Sequence, residues 1–347
     1  MIKPQVIVLA GGVGSRFWPI SQIEKPKQFL DFFNTGKTLL QTTFERFEQS
    51  FGAENIWVIT HERYATEVKD QLKNLNLEQL LLEPIQKNTA ASIAYATYQI
   101  AKKNPDTVLI ISPADHFILK PKELERHLQT GCQFMNHKTG ILTLGIDPTR
   151  ADTNYGYIQA DTTSYEIENI SKVLSFVEKP PLEKAKTMLL QGDYYWNSGI
   201  FISNLRSLIN IFSKHAPIYH KNLKQEHQSI QEIFTQFPDL SFDYAVMEKA
   251  EEIYILRATI GWSDLGTWNS IYHHSEKDKN ENAIQGKNIF VYDAHRNFIK
   301  VPEKKYLILQ GLEDYTVVDT EKALLICKRE QEQEIFHLFK IIQQQNS

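Results

Sequence analysis

A chain of 347 residues, 42% of them hydrophobic, carries enough apolar material for a large core, which excludes general disorder. Its formal net charge of −4 and pI near 6.3 argue against a nucleic-acid coat or a membrane-surface protein, although local cations can still hold a small anion. The two cysteines, Cys132 and Cys327, form no CxxC pair, no signal-peptide core opens the chain and no stretch reaches transmembrane length, so a reduced, cytoplasmic setting without zinc or disulfides is expected.

Short apolar runs alternate with helical patterns in the first part. Val6–Ala10, Ile56–Thr60 and Val108–Ser112 read as strands. Residues 39–49, 64–75 and 89–102 read as helices, with Ile93, Ala96 and Ile100 on one face of the last. Near-continuous apolar strands between helices predict an α/β fold with a parallel sheet covered on both faces. Ligands of such sheets bind beyond the carboxyl ends of the strands, where residues 9–19 and Pro113-Ala114-Asp115-His116 fall. Further on, 171–177 and 200–203 read as strands, and 183–190 and 205–214 as helices. The polar stretch 275–283 reads as a linker. Five short β-like runs follow, at 289–293, 298–301, 306–309, 316–319 and 324–327, which predicts a small β domain. The chain ends in an expected helix whose stripe is Ile335, Phe336, Leu338, Phe339 and Ile342; docking on its own chain is favoured over a dimer contact.

The loop after the first strand, LAGGVGSRFWP, asks for a chemical reading. Gly11, Gly12 and Gly14 allow a tight turn and close approach of backbone to a ligand, and amides in such a loop converge on anions. A P-loop fails, because no Lys-Ser/Thr pair follows, and the dinucleotide fingerprint fails, because Phe17 stands where its third glycine is needed. That disfavours an oxidoreductase. Arg16 suits bidentate phosphate contact, and Lys27 lies in a Lys-Pro-Lys-Gln run stiffened by Pro26. Taken alone, a glycine turn with surface cations is ordinary. Among the eleven histidines no HxxxH or HExxH occurs, which argues against a histidine metal site.

The stretch AGGVGSRFWPISQIEKPKQF resembles the signature of the sugar-nucleotide pyrophosphorylases, or nucleotidyltransferases. EPIQKNTAASIA (83–94), SPADHF (112–117), NYGYIQ (154–159), FVEKP (176–180), WNSGIF (196–201), FDYAVMEKA (242–250) and GWSDLGTW (261–268) resemble the mannose-1-phosphate guanylyltransferase branch, in the right order. Weaker similarity continues through VVDTEKALLICK (317–328). The pattern departs at Ala91-Ser92, where the family reads Pro-Ala, and at Phe17 and Ile20, where it has leucines. The resemblance implies a Rossmann-like nucleotidyltransferase domain with a mainly parallel, mixed sheet over residues 1–280. A small β domain ending in a helix follows over 281–347. It implies transfer of GMP from GTP to mannose 1-phosphate, giving GDP-mannose and pyrophosphate, with Mg2+ (Mn2+ the alternative), no nucleic acid or membrane, and a homodimer as a compatible assembly. No isomerase activity is expected, because the chain ends before the isomerase domain that many bacterial relatives carry.

In that reading Arg16 and Lys27 contact the triphosphate, and the loop amides around Gly11, Gly12, Gly14 and Ser15 cradle it. Asp115 and Asp264 hold the metal; each could instead cap a helix. Glu83, Asn88 and Thr89 are candidates for guanine, whose N1–H and N2 amine are donors, with a surface carboxylate (Glu83) and a helix cap (Asn88) as alternatives. Gly156, Glu178 and Asn197 contact sugar hydroxyls and Lys179 the sugar phosphate; an exposed Glu-Lys pair is the alternative for 178–179. If the strand before them continued, Glu178 and Lys179 would point to opposite faces. A sister pyrophosphorylase of different base or sugar, and a non-catalytic paralogue that binds GDP-mannose, are the rival readings.

Overall fold

The computed structural model describes residues 3–12, 15–167, 169–225, 227–335 and 338. It divides into two compact units. One comprises residues 1–11, 43–114 and 118–262; the other comprises 12–42, 115–117 and 263–347. Strands are numbered along the chain: β1 (Gln5–Leu9), β2 (Ile56–His61), β3 (Leu80–Glu83), β4 (Val108–Pro113), β5 (Phe117–Ile118), β6 (Ile141–Ile146), β7 (Tyr157–Ala160), β8 (Ile170–Val177), β9 (Tyr194–Asn204), β10 (Ile253–Arg257), β11 (Trp262–Ser263), β12 (Ala283–Gln285), β13 (Asn288–Tyr292), β14 (Phe298–Lys300), β15 (Tyr306–Gln310), β16 (Tyr315–Asp319) and β17 (Leu324–Lys328).

The first unit is built on a nine-stranded sheet of order β3-β2-β1-β4-β9-β6-β10-β8-β7. β1 pairs in parallel with β2 and β4, and β2 with β3, in the register Val6↔Ile56, Val6↔Ile110 and Val58↔Leu80. Their apolar runs are buried on both faces, as parallel strands under helices require. The long β9 then runs antiparallel between β4 and β6, which makes the sheet mixed. β9 starts at Tyr194, six residues before the apolar run read from the sequence, because its first half carries Asn197, Ser198 and a left-handed Gly199 (φ 69°) that hide the strand pattern. The helix Asn88–Lys103 covers the sheet with small residues: Ala90, Ala91, Ala94 and Ala96 are fully buried beside Ile93 and Ile100. The expected helix 64–75 is shorter, Ala65–Gln71, since Leu72 leaves helical backbone (φ −110°, ψ 78°) ahead of the Lys-Asn-Leu-Asn run.

In the second unit β12, β14 and β16 stack in parallel, and so do β13 and β15, while β17 closes the first stack antiparallel. The registers Ala283↔Phe298↔Thr316 and Asn288↔Tyr306 describe coils of a short β-solenoid. Ile299, Val301, Leu309 and Val317 fill its interior. Its other buried face packs Phe298, Val318 and Leu325 with Phe17, Phe32, Leu265 and Trp268. Phe17 meets Phe32 at 4.6 Å and Trp268 at 5.1 Å, and Trp268 stacks on Phe298 at 5.4 Å. Aromatic contacts of this kind contribute ~0.5–1.5 kcal/mol each beyond burial. The residue that spoils the dinucleotide fingerprint is therefore a core residue, 1% exposed. Ile335 joins this cluster, whereas Leu338 is exposed; Phe336, Phe339 and Ile342 of the expected terminal stripe lie outside the described residues. Among the described residues no helix is long and apolar enough to cross a membrane, and both cysteines are free.

Candidate functional site

Arg16, Lys27, Asp115 and Asp264 all fall in the second unit. Arg16 sits exposed in the 3-10 turn Ser15–Phe17, anchored by the buried Phe17. Lys27 opens the turn Lys27–Phe29 directly after the extended Pro26. The Lys27 ammonium lies 3.0 Å from Asp115 Oδ2 and donates to the carbonyl oxygens of Asp264 (3.1 Å) and Leu265 (3.4 Å). Leu265 is buried in a left-handed conformation (φ 45°), the bend that brings those carbonyls to one ammonium. Asp264 Oδ1 accepts from the Gly266 amide at 3.1 Å. A Cβ on Gly266 would come within 2.9 Å of Asp264 Oδ2 and 3.3 Å of Arg16 Nη1, so the guanidinium stands beside this loop. The carbonyl of Gly12 accepts from Gln28 Nε2 at 2.9 Å; Gly14 lies outside the described residues.

Burial alone would raise the Asp115 carboxyl. The charges of Lys27 and then His116, with hydrogen bonds from Lys27 and its own backbone, overcome this and hold it below the usual carboxylate range. Neither aspartate is a helix cap. The helix after Asp115 starts only at Pro121, and the helix Trp268–His274 is capped by Thr267 in a capping box with Ser270. Among the described residues no cluster of three or more His, Cys, Asp or Glu is positioned to hold an ion alone. The Asp115 carboxylate meets the Lys27 ammonium, and Asp264 lies on the loop whose carbonyls hold the same ammonium; these two aspartates fit Mg2+, which takes one or two carboxylates and fills its other positions with phosphate oxygens and water.

Of the remaining predicted residues that are described, all but Gly12 and Ser15 fall in the first unit. Glu83 ends β3 and is 3% exposed, so it is no surface carboxylate. Ser92 Oγ donates to its Oε1 at 2.5 Å, and a Cβ on Gly11 would stand 3.3 Å from its Oε2. Gln86 Nε2 donates to the Gly11 carbonyl at 2.9 Å. Burial pushes the Glu83 carboxyl up to about 7 against the pull of the Ser92 hydrogen bond. Ser92 stands where the family pattern has alanine, and spacing gave no sign of this pairing. Asn88 is exposed, left-handed (φ 63°), and accepts the Thr89 amide on its own side chain at 2.9 Å. Thr89 Oγ1 instead accepts the Phe242 amide at 2.8 Å, so it anchors the segment that leads to residue 243.

Gly156, Glu178, Lys179 and Asn197 come together at the start of β7, the end of β8 and the first half of β9. A Cβ on Gly156 would fall 2.5 Å from Glu178 Oε2 and 3.4 Å from Asn197 Cβ. The Glu178 side chain is 6% exposed and pairs with Lys179 Nζ at 2.7 Å, while Lys179 is half exposed. The expected alternation of the two fails because β8 ends at Val177 and Lys179 turns left-handed (φ 47°), which folds its ammonium back onto Glu178. Burial disfavours charge on Lys179, yet Glu178 more than offsets it and raises the ammonium above its ordinary value. Asn197 Oδ1 accepts from Thr143 (3.0 Å) and the Gly199 amide (3.1 Å), which leaves its Nδ2 to donate to Asp243 Oδ1 at 2.8 Å.

Asp243 is the residue that sequence reasoning missed. It opens a π-helical turn, Asp243–Met247, inside the FDYAVMEKA motif. Such turns recur at functional sites. Burial and the neighbouring Glu178 carboxylate raise its carboxyl to about 7, against hydrogen bonds and the Lys179 charge. The motif itself was the available signal, but an aspartate before a tyrosine carries no marker of its partner.

A family model described as "Nucleotidyl transferase" matches residues 5–281. The chain is 35% identical to the alginate biosynthesis protein AlgA of Pseudomonas aeruginosa, over 96% of this chain and 71% of that protein. It is 33% identical to a mannose-1-phosphate guanylyltransferase of Sinorhizobium fredii, over 97% of this chain and 68% of that protein. A crystal structure from Thermus thermophilus, described as a mannose-1-phosphate geranyltransferase, shares the fold with a TM-score of 0.89 at 26% identity, covering 99% of this chain and all of that one.

Proposed function

Since the chain belongs to the nucleotidyl transferase family, we propose that it transfers GMP from GTP to α-D-mannose 1-phosphate, forming GDP-mannose and releasing pyrophosphate. The observation that carries the reading is the Lys27 ammonium held among Asp115 and the carbonyls of the Asp264 loop, with Arg16 beside it. The names of the relatives support the choice of guanine and mannose.

The reaction is an in-line displacement. A phosphate oxygen of mannose 1-phosphate bonds to the α-phosphorus of GTP, and the α–β bridging bond breaks with its electron pair leaving on pyrophosphate. No protein nucleophile is required; positioning and charge neutralisation do the catalysis. Lys27 and Arg16 take the growing charge on the α-phosphate and the departing pyrophosphate. Glu178 and Asn197 accept from and donate to sugar hydroxyls, and Lys179 offsets the sugar phosphate. Asp115 and Asp264 would hold Mg2+, or Mn2+, which supplies phosphate charge neutralisation when bound. Glu83, with Asn88, would select the base. A cytoplasmic setting is part of the same reading.

The test is pyrophosphate release by the purified protein with Mg2+, across the four common nucleoside triphosphates and several hexose 1-phosphates. Release with GTP plus mannose 1-phosphate, abolished in Arg16→Ala and Asp264→Ala, is expected. Turnover with another pair would overturn the substrates and keep the reaction class. Binding of GDP-mannose with no turnover for any pair would replace catalysis by a regulatory role.

A further inference from the structure

The C-terminal segment touches the helix that follows the loop on which the proposed chemistry depends. Asp264, Leu265 and Gly266 hold Lys27 and flank Arg16, and the chain then enters the helix Trp268–His274 through its cap Thr267. Glu332, in the 3-10 helix Arg329–Glu334, is 8% exposed and places its carboxylate on the first turn of that helix. Its Oε2 and Oε1 accept the Asn269 amide at 2.9 and 3.0 Å. Thr267 and the Trp268 amide also favour its charged form. Arg329 holds the same turn from its other side: Nη1 donates to Asn269 Oδ1 at 2.9 Å, Nη2 to Asp314 Oδ1 at 2.7 Å, and the guanidinium lies 3.9 Å over the Tyr272 ring.

Docking alone does not call for a buried carboxylate. Trp268 is already fully buried among Phe17, Phe32 and Phe298, and a buried charge is a costly way to pack a helix. What a carboxylate on the Asn269 amide adds is a fixed direction for the first turn. Only two residues separate Thr267 from Asp264, a buried, left-handed Leu265 and Gly266. A shift of that turn therefore reaches the loop through a short link in which the buried Leu265 is fixed by its packing.

We propose that Glu332 is a positioning residue for the phosphate-handling cluster: its carboxylate fixes the first turn of the helix Trp268–His274 and, through it, the Asp264–Gly266 loop that presents Asp264 and holds Lys27. This rests on the reading of that cluster given above. The C-terminal segment is then part of the apparatus that builds the reactive loop.

Glu332→Gln and Glu332→Asp in the full chain test it. In Glu332→Gln, kcat falls by about tenfold or more while KM for both substrates stays within about threefold, since small misplacements of catalytic groups lower turnover steeply. Glu332→Asp recovers part of kcat. Amide hydrogen exchange without nucleotide quickens at 264–270 in Glu332→Gln and remains slow in the β-solenoid, a readout independent of turnover. A wild-type kcat in Glu332→Gln, or lowered kcat with unchanged exchange at 264–270, overturns the proposal. If Glu332→Gln does not fold, Glu332→Asp, which draws the carboxylate back from the Asn269 amide, should show both effects in smaller measure, and their absence overturns the proposal as well. If the wild-type protein turns over no substrate pair, the functional reading fails, and the exchange data still decide whether Glu332 fixes the loop.

Discussion

Replacing Gly156 by alanine separates the sugar reading from a structural one. The added Cβ would lie 2.5 Å from Glu178 Oε2, 3.2 Å from Phe176 Cζ and 3.4 Å from Asn197 Cβ. The last two contacts need only small adjustments. The carboxylate must withdraw by about 0.9 Å to reach ordinary contact, and as the far end of a long side chain it can do so without moving backbone. The fold should therefore survive, with a thermal midpoint close to wild type. A hydrogen bond from a sugar hydroxyl to Glu178 would not survive that displacement. A bond to a charged group contributes ~1.5–3 kcal/mol, which corresponds to a roughly 10- to 150-fold rise in KM for mannose 1-phosphate. KM for GTP should stay unchanged. Initial-rate pyrophosphate release, with one substrate varied at saturating levels of the other, reads both constants. A normal sugar-phosphate KM in a folded Gly156→Ala protein would refute the placement of Glu178 on the sugar.

Further outcomes follow from the same geometry. Burial raises Glu83 from 4.5 to about 7, so the folded state keeps a proton that the unfolded chain has already lost in that interval. Stability attributable to this group is full below about pH 4.5 and falls by ~3 kcal/mol as pH rises through 7. Glu83→Gln should flatten that slope in urea denaturation between pH 5 and 8, and parallel curves for the two proteins would count against it. Lys27→Met leaves the Asp115 carboxylate without its cation and removes a phosphate donor; kcat should drop by about 10²-fold or more, measured by single-turnover transfer at saturating substrate. Removing divalent ions with a chelator should stop turnover and Mg2+ should restore it, whereas Asp115→Asn should need far more Mg2+ for half-maximal rate.

The strands β1, β2 and β4 and the helix over residues 88–103 were legible in the sequence, because burial on both faces of a strand, or along one helix face, is written into consecutive residues. The glycine loop with Arg16, and the ordered motifs that point to the family, were legible for a similar reason: each is a local run. Other features depended on the tertiary structure. Nothing local places β9 antiparallel between β4 and β6, or makes Phe17 a core residue of the unit that contains the β-solenoid. The sequence leaves a surface carboxylate open as the alternative for Glu83, yet Glu83 is buried against Ser92, nine residues away. Asn197 finds Asp243 across 46 residues, and Asn269 finds Glu332 across 63. A hydrogen-bond partner is chosen by proximity after the chain has packed, and it leaves no period or spacing behind. The residue types that can do the chemistry are thus visible in the sequence, while the environment that sets their charge and direction exists only once the fold has brought distant segments together.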